Sequence, residues 1–381
     1  MSDPHALYIH IPFCIRKCDY CDFYSSTDRA LIPDFIQALL KEIDRFPSPQ
    51  PFCIETVYFG GGTPSVLSPD QIHAVLNGIH KKFHLSRHPE ITLEANPGTV
   101  NLEKLTDFYS LGINRLSLGI QSFDDGKLIG LSRIHTRKQA VDAIVNSRRA
   151  GFENIGIDLM YGVSNESASM WQSDLDRAVS FSPAHISCYM LTVEPFTALY
   201  DRIAADRAPA PCGSDQVQLF EQTAAFLTRA GYDHYEISNF AKGKENRSRH
   251  NSAYWRHKPY LGVGPSAHSF DGRNRSWNHS DISLYVDSLL SGKDAVAETE
   301  TLSSSQQMME TVMIGLRTKE GIDTLAFENR FGISFLNLFE PVIARVRDNG
   351  YGTLTSNRFV LNLKGQIRLN HIVRECVDLI D

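Results

Sequence analysis

The sequence predicts an α/β protein built from parallel βα units, and two regularities in its first half support that prediction. Six short apolar segments with strand character alternate with helical patterns, which is typical of parallel strands joined by right-handed crossovers. Glycines and polar residues follow several of these segments, where TIM-type barrels place their sites. Six units are too few to close an eight-fold barrel of about 250 residues, so we expect a partial (βα)6 TIM-type barrel. The strands are predicted at residues 7–11, 56–59, 91–94, 115–120, 155–160 and 185–189.

Start and stop signals place helices between these strands. Ser68 followed by Pro69 is a typical N-cap and first helical residue, and Gly112 is a typical helix terminator. Because parallel strands need long crossover connections, helices in these positions agree with the predicted sheet. The other helices of this half are expected at 33–46, 101–111, 136–150 and 170–181.

The pattern changes after about residue 195, and a smaller C-terminal unit is expected. A helical signal at 216–229 precedes an aromatic and histidine-rich stretch between Tyr232 and Trp277. Further helical runs and a hairpin near 350–363 indicate an α+β, winged-helix-like domain. The expected division is a barrel over residues 1–230, a connecting segment over 231–300 and the C-terminal domain over 301–381.

Composition favours a soluble, cytoplasmic protein and disfavours nucleic acid as a partner. The chain of 381 residues has 38 Lys and Arg against 44 Asp and Glu, a formal net charge of −6, so no global field attracts a phosphate backbone. No segment approaches the ~18 apolar residues of a membrane span, and the N-terminal sequence lacks the features of a secretory signal. The C-terminal region has no basic recognition helix, which favours a structural or partner-binding role over DNA binding.

Cysteine is the unusual residue in this composition. The chain has seven cysteines and is too large to need disulfides for stability. Cys14, Cys18 and Cys21 fall within eight residues, directly after the first predicted strand, and such clustering indicates a metal centre. A zinc site would need a fourth ligand, such as His10 or a distant cysteine. An iron–sulfur cluster held by three thiolates would instead keep one iron open to an exchangeable ligand.

The context of these cysteines carries a family resemblance. The run His10-Ile11-Pro12-Phe13-Cys14-x-x-x-Cys18-x-Tyr20-Cys21 resembles the signature of the radical S-adenosylmethionine (SAM) superfamily. The resemblance implies a [4Fe–4S] cluster on the three cysteines, SAM on its fourth iron, and the partial barrel expected from the strand count. Taken singly, a glycine-rich turn or a strand-end aspartate is more often structural, but their joint order implies a SAM site. The SAM-binding residues implied are Tyr8, Tyr20, Gly61, Gly62, Thr63, Glu94, Gln121, Arg133 and Asp158.

The same order of motifs resembles the family of the oxygen-independent coproporphyrinogen III oxidase. Two features disagree with the oxidase itself: Phe23 stands where the oxidase has a further cysteine, and the arm before Cys14 is short. One motif, His250-Asn251-x-x-Tyr254-Trp255, resembles the HNxxYW signature of the heme-chaperone branch of this family, called HemW. The sequence therefore resembles that branch more than the oxidase.

This second motif implies heme binding at His250, Asn251, Tyr254 and Trp255. An imidazole can ligate heme iron axially, and aromatic rings can flank the porphyrin. Nearby arginines can pair with the propionates; they are Arg247, Arg249 and Arg256. The alternative iron ligands are His257, His268 and, more weakly, Cys212.

The function favoured by these observations is that of a heme chaperone on a radical-SAM scaffold. Its expected cofactors are a [4Fe–4S] cluster and SAM, and its expected partners are heme and an acceptor hemoprotein, soluble or membrane-associated. We expect a monomer or a ligand-promoted homodimer. A carrier needs no bond-breaking step, so no catalytic residue is assigned and enzymatic activity stays open. The alternatives are a radical-SAM enzyme that decarboxylates a porphyrinogen and a zinc-stabilised binding module.

Overall fold

The computed structural model describes residues 6–46 and 53–380, and its main feature is a 12-stranded sheet. The first five residues of the N-terminal sequence discussed above lie outside the described part. A second, three-stranded sheet lies in the C-terminal region. The strands are β1 Ala6–Ile11, β2 Cys53–Gly61, β3 His84–Ala95, β4 Arg115–Gln121, β5 Asn154–Tyr161, β6 His185–Met190, β7 Asp233–Glu236, β8 Asn239–Ala241, β9 Tyr260–Val263, β10 His268–Phe270, β11 Asn274–Asn278, β12 Val296–Thr301, β13 Ile322–Asp323, β14 Gly352–Leu354 and β15 Arg358–Leu361.

The helices agree with the start and stop signals of the sequence. Ser68 caps its helix in a capping box with Gln71, and Asn101 caps the next. None of the helices in the described ranges combines the length and the apolar composition of a membrane-spanning segment. The helices are α1 Ile32–Arg45, α2 Pro69–Lys82, α3 Leu102–Ser110, α4 Asp125–Gly130, α5 Arg137–Arg149, α6 Ala168–Ser180, α7 Ala198–Ala204, α8 Gly213–Arg229, α9 Arg249–Trp255, α10 Ile282–Leu290, α11 Ser304–Gly315, α12 Thr324–Phe331, α13 Phe335–Leu338, α14 Glu340–Asp348, α15 Leu363–Ile367 and α16 Leu369–Val377.

Strands β1 to β6 pair in chain order and are all parallel. Helices connect them and cover one face of the sheet, and the apolar side chains between the two layers form the main core. The predicted partial (βα)6 barrel is therefore confirmed. Because the strands are parallel, their carboxyl ends meet along one edge, where the cysteine loop and the Gly60-Gly61-Gly62 turn both lie.

Residues 231–300 are more than a connecting segment, because they extend the sheet at both ends. Strands β7 and β8 continue it beyond β6 in antiparallel pairing. On the other side β9 pairs with β1 in parallel, and β10 to β12 follow in antiparallel pairing. These strands are only three to six residues long, and all except β9 contain polar side chains, so the apolar alternation that indicates a strand is missing from their sequences.

The C-terminal unit combines helices α11 to α16 with the sheet β13-β15-β14. This is the predicted smaller α+β unit, and it has its own core around Val312, Phe339 and Val346. It is attached to the sheet extension by two backbone hydrogen bonds. The Ile237 N–H donates to the Arg317 carbonyl, and the Lys319 N–H donates to the Tyr235 carbonyl, each with a donor–acceptor distance of 3.0 Å.

A buried ion triad connects helix α4, which follows β4, to helix α6 and the loop before it. The Lys127 ammonium contacts the carboxylates of Glu166 and Asp174, and all three side chains are almost fully buried. Asp174 also accepts hydrogen bonds from the Ser122 hydroxyl and the Phe123 N–H, each over 2.7 Å. The triad thus holds the backbone that directly follows β4.

Replacing Lys127 with alanine should strongly destabilise the protein. The change leaves two buried carboxylates without their counter-ion, a loss of about 3–5 kcal/mol in the free energy of unfolding. Urea unfolding of the full chain measures this loss. The matched control is Lys138→Ala, which removes an exposed ion pair with Asp142 and should change the free energy by less than about 1 kcal/mol. Equal effects of the two substitutions would contradict the prediction.

Candidate functional site

The ends of β1 and β2 bring the cysteine loop and the glycine turn together. Ile11 of β1 lies opposite Gly61 of β2, and the Gly62 N–H donates to the Ile11 carbonyl over 2.8 Å. A Cβ at Gly62 would lie 2.8 Å from the Phe13 carbonyl oxygen, and Gly61 has a φ of +109°. Both positions therefore require glycine, because the turn packs against the backbone that leads into the cysteines.

The three cysteines lie on the loop that leaves β1. The Cys14 N–H donates to the Ser26 carbonyl over 2.9 Å, so the two ends of the loop are held together. The Cys14 Sγ lies 3.4 Å from the Thr63 hydroxyl, and the Arg133 guanidinium donates to the Cys18 Sγ over 3.4 Å. Burial raises the pKa of the Cys14 and Cys21 thiols, and repulsion from Cys18 adds to it. In the described part of the chain, no three His, Cys, Asp or Glu side chains form a group suited to one metal ion.

A cavity of ≈ 420 Å³ opens beside this loop, at the carboxyl ends of the parallel strands. Eight of the nine residues implied to bind SAM line it together. The exception is Tyr8, which lies outside this cavity and packs against Tyr58, with ring centroids 6.1 Å apart. The residues brought together are Tyr20, Gly61, Gly62, Thr63, Glu94, Gln121, Arg133 and Asp158.

Several buried polar atoms of the cavity residues lack partners. Among the described residues, Gln121 Oε1, Arg133 Nε and Asp158 Oδ1 are buried and accept or donate no hydrogen bond. Gln121 also has a left-handed backbone, with φ of +64°, which is uncommon for a residue with a side chain. Unpaired buried polar groups are costly, so their concentration here fits a site for a polar ligand.

Two buried carboxyls face the same cavity. Burial raises the pKa of Glu94 to about 7, and a hydrogen bond from the Tyr58 hydroxyl over 2.7 Å opposes this shift. Burial also raises the pKa of Asp158, which accepts a hydrogen bond from the Ser117 hydroxyl over 2.8 Å. A cation placed between these carboxyls would favour their charged forms.

Sequence reasoning missed Tyr58 and Ser117 as cavity residues. Both line the cavity and orient its carboxyls. A signal for Ser117 was present, because it precedes Gln121 by four residues in β4 and alternate residues of a strand share one face. Tyr58 carried no comparable signal, because Gly60, two residues later in β2, does not line the cavity.

The HNxxYW motif forms helix α9, which packs on the barrel. His250 is 1% exposed, and its ring stacks on Tyr58 with centroids 4.9 Å apart. Its Nδ1 lies 2.8 Å from the Thr56 hydroxyl, and its Nε2 lies 2.9 Å from the Tyr254 hydroxyl. Burial lowers the pKa of His250 to about 3. Neither ring nitrogen is available to iron in this arrangement, so the structure gives His250 a packing role.

Contacts at the start of α9 engage two of the three arginines near the motif, Arg247 and Arg249. Glu90 accepts hydrogen bonds from the N–H groups of Arg249 and His250 at the start of the helix, a favourable place for a carboxylate. Arg247 pairs with Asp233 and Glu320. The remaining motif residues contribute less to these contacts: the Asn251 N–H donates to the Ser248 cap, and the indole nitrogen of Trp255 is buried without a partner among the described residues.

Family comparisons agree with this architecture. The model of the Radical SAM superfamily matches residues 8–178, which contain most of β1, all of β2 to β5 and the cysteine loop. The model of the HemN C-terminal domain matches residues 302–367, within the smaller unit. Both halves of the chain therefore have recognised relatives.

Similar proteins cover nearly the whole chain. The protein named heme chaperone HemW of Bacillus subtilis is 31% identical over 96% of this chain and 97% of its own; that of Lactococcus lactis is 34% identical over 91% and 90%. The structure of coproporphyrinogen III oxidase (HemN) from Escherichia coli superposes with a TM-score of 0.85 at 23% identity, covering 98% of this chain and 90% of that one. That likeness shows a common fold. The chain belongs to the HemW family of the radical SAM superfamily.

Proposed function

We propose that this protein is a heme chaperone that binds heme on a radical-SAM scaffold and transfers it to an acceptor hemoprotein. The observation that carries the proposal is the kinship with proteins named heme chaperone, which extends through the barrel, the sheet extension and the C-terminal unit. Phe23, in place of the additional cysteine of the oxidase, supports the same branch. We propose a cytoplasmic location and a monomer or ligand-promoted homodimer.

The cysteine loop and the adjoining cavity suit a [4Fe–4S] cluster and SAM. Cys14, Cys18 and Cys21 lie on one closed loop beside the cavity mouth, and the unpartnered buried atoms of Gln121 and Asp158 suit the polar groups of SAM. When bound, such a cluster supplies an open iron position for SAM and one-electron chemistry. In our proposal the protein's own residues orient SAM and exclude water, and none of them breaks a bond.

A second candidate is a radical-SAM enzyme that acts on a porphyrinogen. The feature that favours it is the elaborate polar cavity, since a passive carrier would not need unpaired buried groups beside the cysteines. Its reaction class would be oxidative decarboxylation of a porphyrinogen propionate.

One pair of assays separates the two candidates. Heme titrated into the anaerobically reconstituted protein should produce a Soret band, and heme should then pass to an apo-hemoprotein added in a second step. Coproporphyrinogen III incubated with the reduced protein and SAM should remain unchanged. Decarboxylated product together with absent heme transfer would favour the enzyme.

The cluster assignment predicts which cysteines bind iron. Cys18→Ala should abolish iron and sulfide incorporation during anaerobic reconstitution, because the thiolate ligand is lost. Iron and acid-labile sulfide are measured per protein. Cys212→Ala is the matched control, since that cysteine is exposed and is not one of the three clustered cysteines, and it should keep the wild-type content. Zinc without iron or sulfide in the wild type would contradict the cluster.

The SAM assignment predicts a pH-dependent affinity. SAM is cationic, so it should bind the ionised form of Glu94, whose pKa is about 7 before binding. Affinity should therefore rise by roughly tenfold between pH 6 and pH 8 as the carboxyl ionises. Glu94→Gln should bind SAM roughly ten- to a hundred-fold more weakly at pH 8 and lose most of this pH dependence.

Calorimetric titration of SAM into the reconstituted protein at both pH values measures the effect. Glu221→Gln is the control, because Glu221 is an exposed carboxyl on α8 and should leave affinity and pH profile unchanged. An unaltered profile in Glu94→Gln would place the SAM cation elsewhere.

A further inference from the structure

A second cavity of ≈ 620 Å³ lies on the other side of the cysteine loop. Its walls come from β1, from the sheet extension β9 to β11 and from helix α11 of the C-terminal unit. Its volume is in the range of about 300–1,000 Å³ that is usual for small-molecule sites. The SAM binding proposed above does not involve this second cavity.

The lining of this cavity is largely aromatic. Tyr254 packs edge-on against Tyr260 with ring centroids 4.7 Å apart, and Phe270 lies next to Tyr260 at 6.2 Å. Met313 of α11 contributes a further apolar side chain. Such a wall suits a flat, apolar ring system, because aromatic side chains stack on or abut planar ligands.

Cationic groups are also present in the lining. The Lys258 side chain is exposed at the cavity, and its ammonium group has no hydrogen-bond or ion-pair partner among the described residues. The Arg275 guanidinium donates two hydrogen bonds, of 2.8 and 2.9 Å, to the Glu310 carboxylate. The negative charge of Glu310 therefore partly balances its positive charge. Lys258 is therefore the cation most available to a carboxylate of a ligand.

Three histidines line the cavity, and their ring nitrogens differ in availability. His10 is engaged by the Tyr8 hydroxyl and the Tyr24 carbonyl. His257 is engaged by Glu310 and Arg330. In the described part of the chain, neither ring nitrogen of His268 makes a hydrogen bond, while its ring stacks on Trp277 with centroids 5.5 Å apart.

We infer that this cavity is the heme site and that His268 supplies an axial ligand to the heme iron. The inference rests on the proposed function, because it assigns a binding site to the heme that a heme chaperone carries. Heme needs an apolar slot for the macrocycle, a neutral nitrogen ligand and a cation for its propionates. The cavity provides all three, through its aromatic wall, His268 and Lys258.

The same placement puts the heme cavity beside the SAM cavity. Asp22 and Phe23 line both cavities, and Phe23 is 68% exposed. The residue that occupies the position of the oxidase's additional cysteine therefore lies between the two ligand sites. The HNxxYW motif contributes Tyr254 to the wall, while His250 packs behind it.

The experiment is a titration of ferric heme into the full-length protein, followed by absorbance and resonance Raman spectra. Wild type should show histidine-ligated heme. His268→Ala should lose that signature and bind heme at least about tenfold more weakly, and added imidazole should restore the spectrum. His250→Ala should keep the histidine-ligated spectrum. His84→Ala, which removes an exposed histidine at the start of β3, is the matched control.

A second variant tests the cavity without touching the ligand. Met313→Trp should fill the space beside α11 and weaken heme binding while SAM affinity stays at the wild-type value. Wild-type heme spectra and affinity in both His268→Ala and Met313→Trp would overturn the inference and leave the proposed function intact. Absence of heme binding in the wild type would overturn the proposed function itself.

Discussion

The parallel pairing of β1 with β2 is the constraint on which the site depends. It places Ile11 opposite Gly61, so the loop that leaves β1 and the turn that leaves β2 begin at the same height of the sheet. The turn then packs so closely on the loop that a Cβ at Gly62 would clash with the Phe13 backbone, and Gly61 adopts a positive φ that favours glycine. Since Cys14 contacts Thr63 through this packing, a change in register would separate the thiols from the cavity.

A chain of aromatic contacts runs between the cavity beside the cysteine loop and the cavity lined by His268. Tyr58 lies at its centre, because its hydroxyl donates to Glu94 in one cavity while its ring stacks on His250. His250 in turn contacts the Tyr254 hydroxyl, and Tyr254 lines the other cavity. These contacts are closely packed, so the HNxxYW motif positions side chains that separate the two cavities. Heme binding by this motif stays a prediction, and in the structure both ring nitrogens of His250 lie next to the hydroxyls of Thr56 and Tyr254.

Elements that depend on local interactions could be predicted from the sequence, whereas elements that depend on long-range pairing could not. The strands of the barrel are apolar over several residues and their helices carry local caps such as Ser68 and Asn101, so both were predicted from short windows. Strands β10 to β12 were not predicted, because their polar sequences are extended only where they pair with each other and with β9. Strand β9 is apolar but only four residues long, and its pairing with β1 decides its structure. Propensity is weak in such strands, and tertiary pairing decides their structure.

The sequence by itself determined the fold class, the cysteine loop and eight of the residues that line the adjoining cavity, since each follows from spacing along the chain or from the order of motifs. Tertiary structure alone decided what the histidines can do. Three of them, His250, His257 and His268, lie within nineteen residues of one another in the sequence and look alike there. Folding buries the first, pairs the second with charged partners and leaves the third unpaired beside a cavity. The availability of an imidazole nitrogen depends on neighbours from distant strands and helices, and local sequence does not encode them.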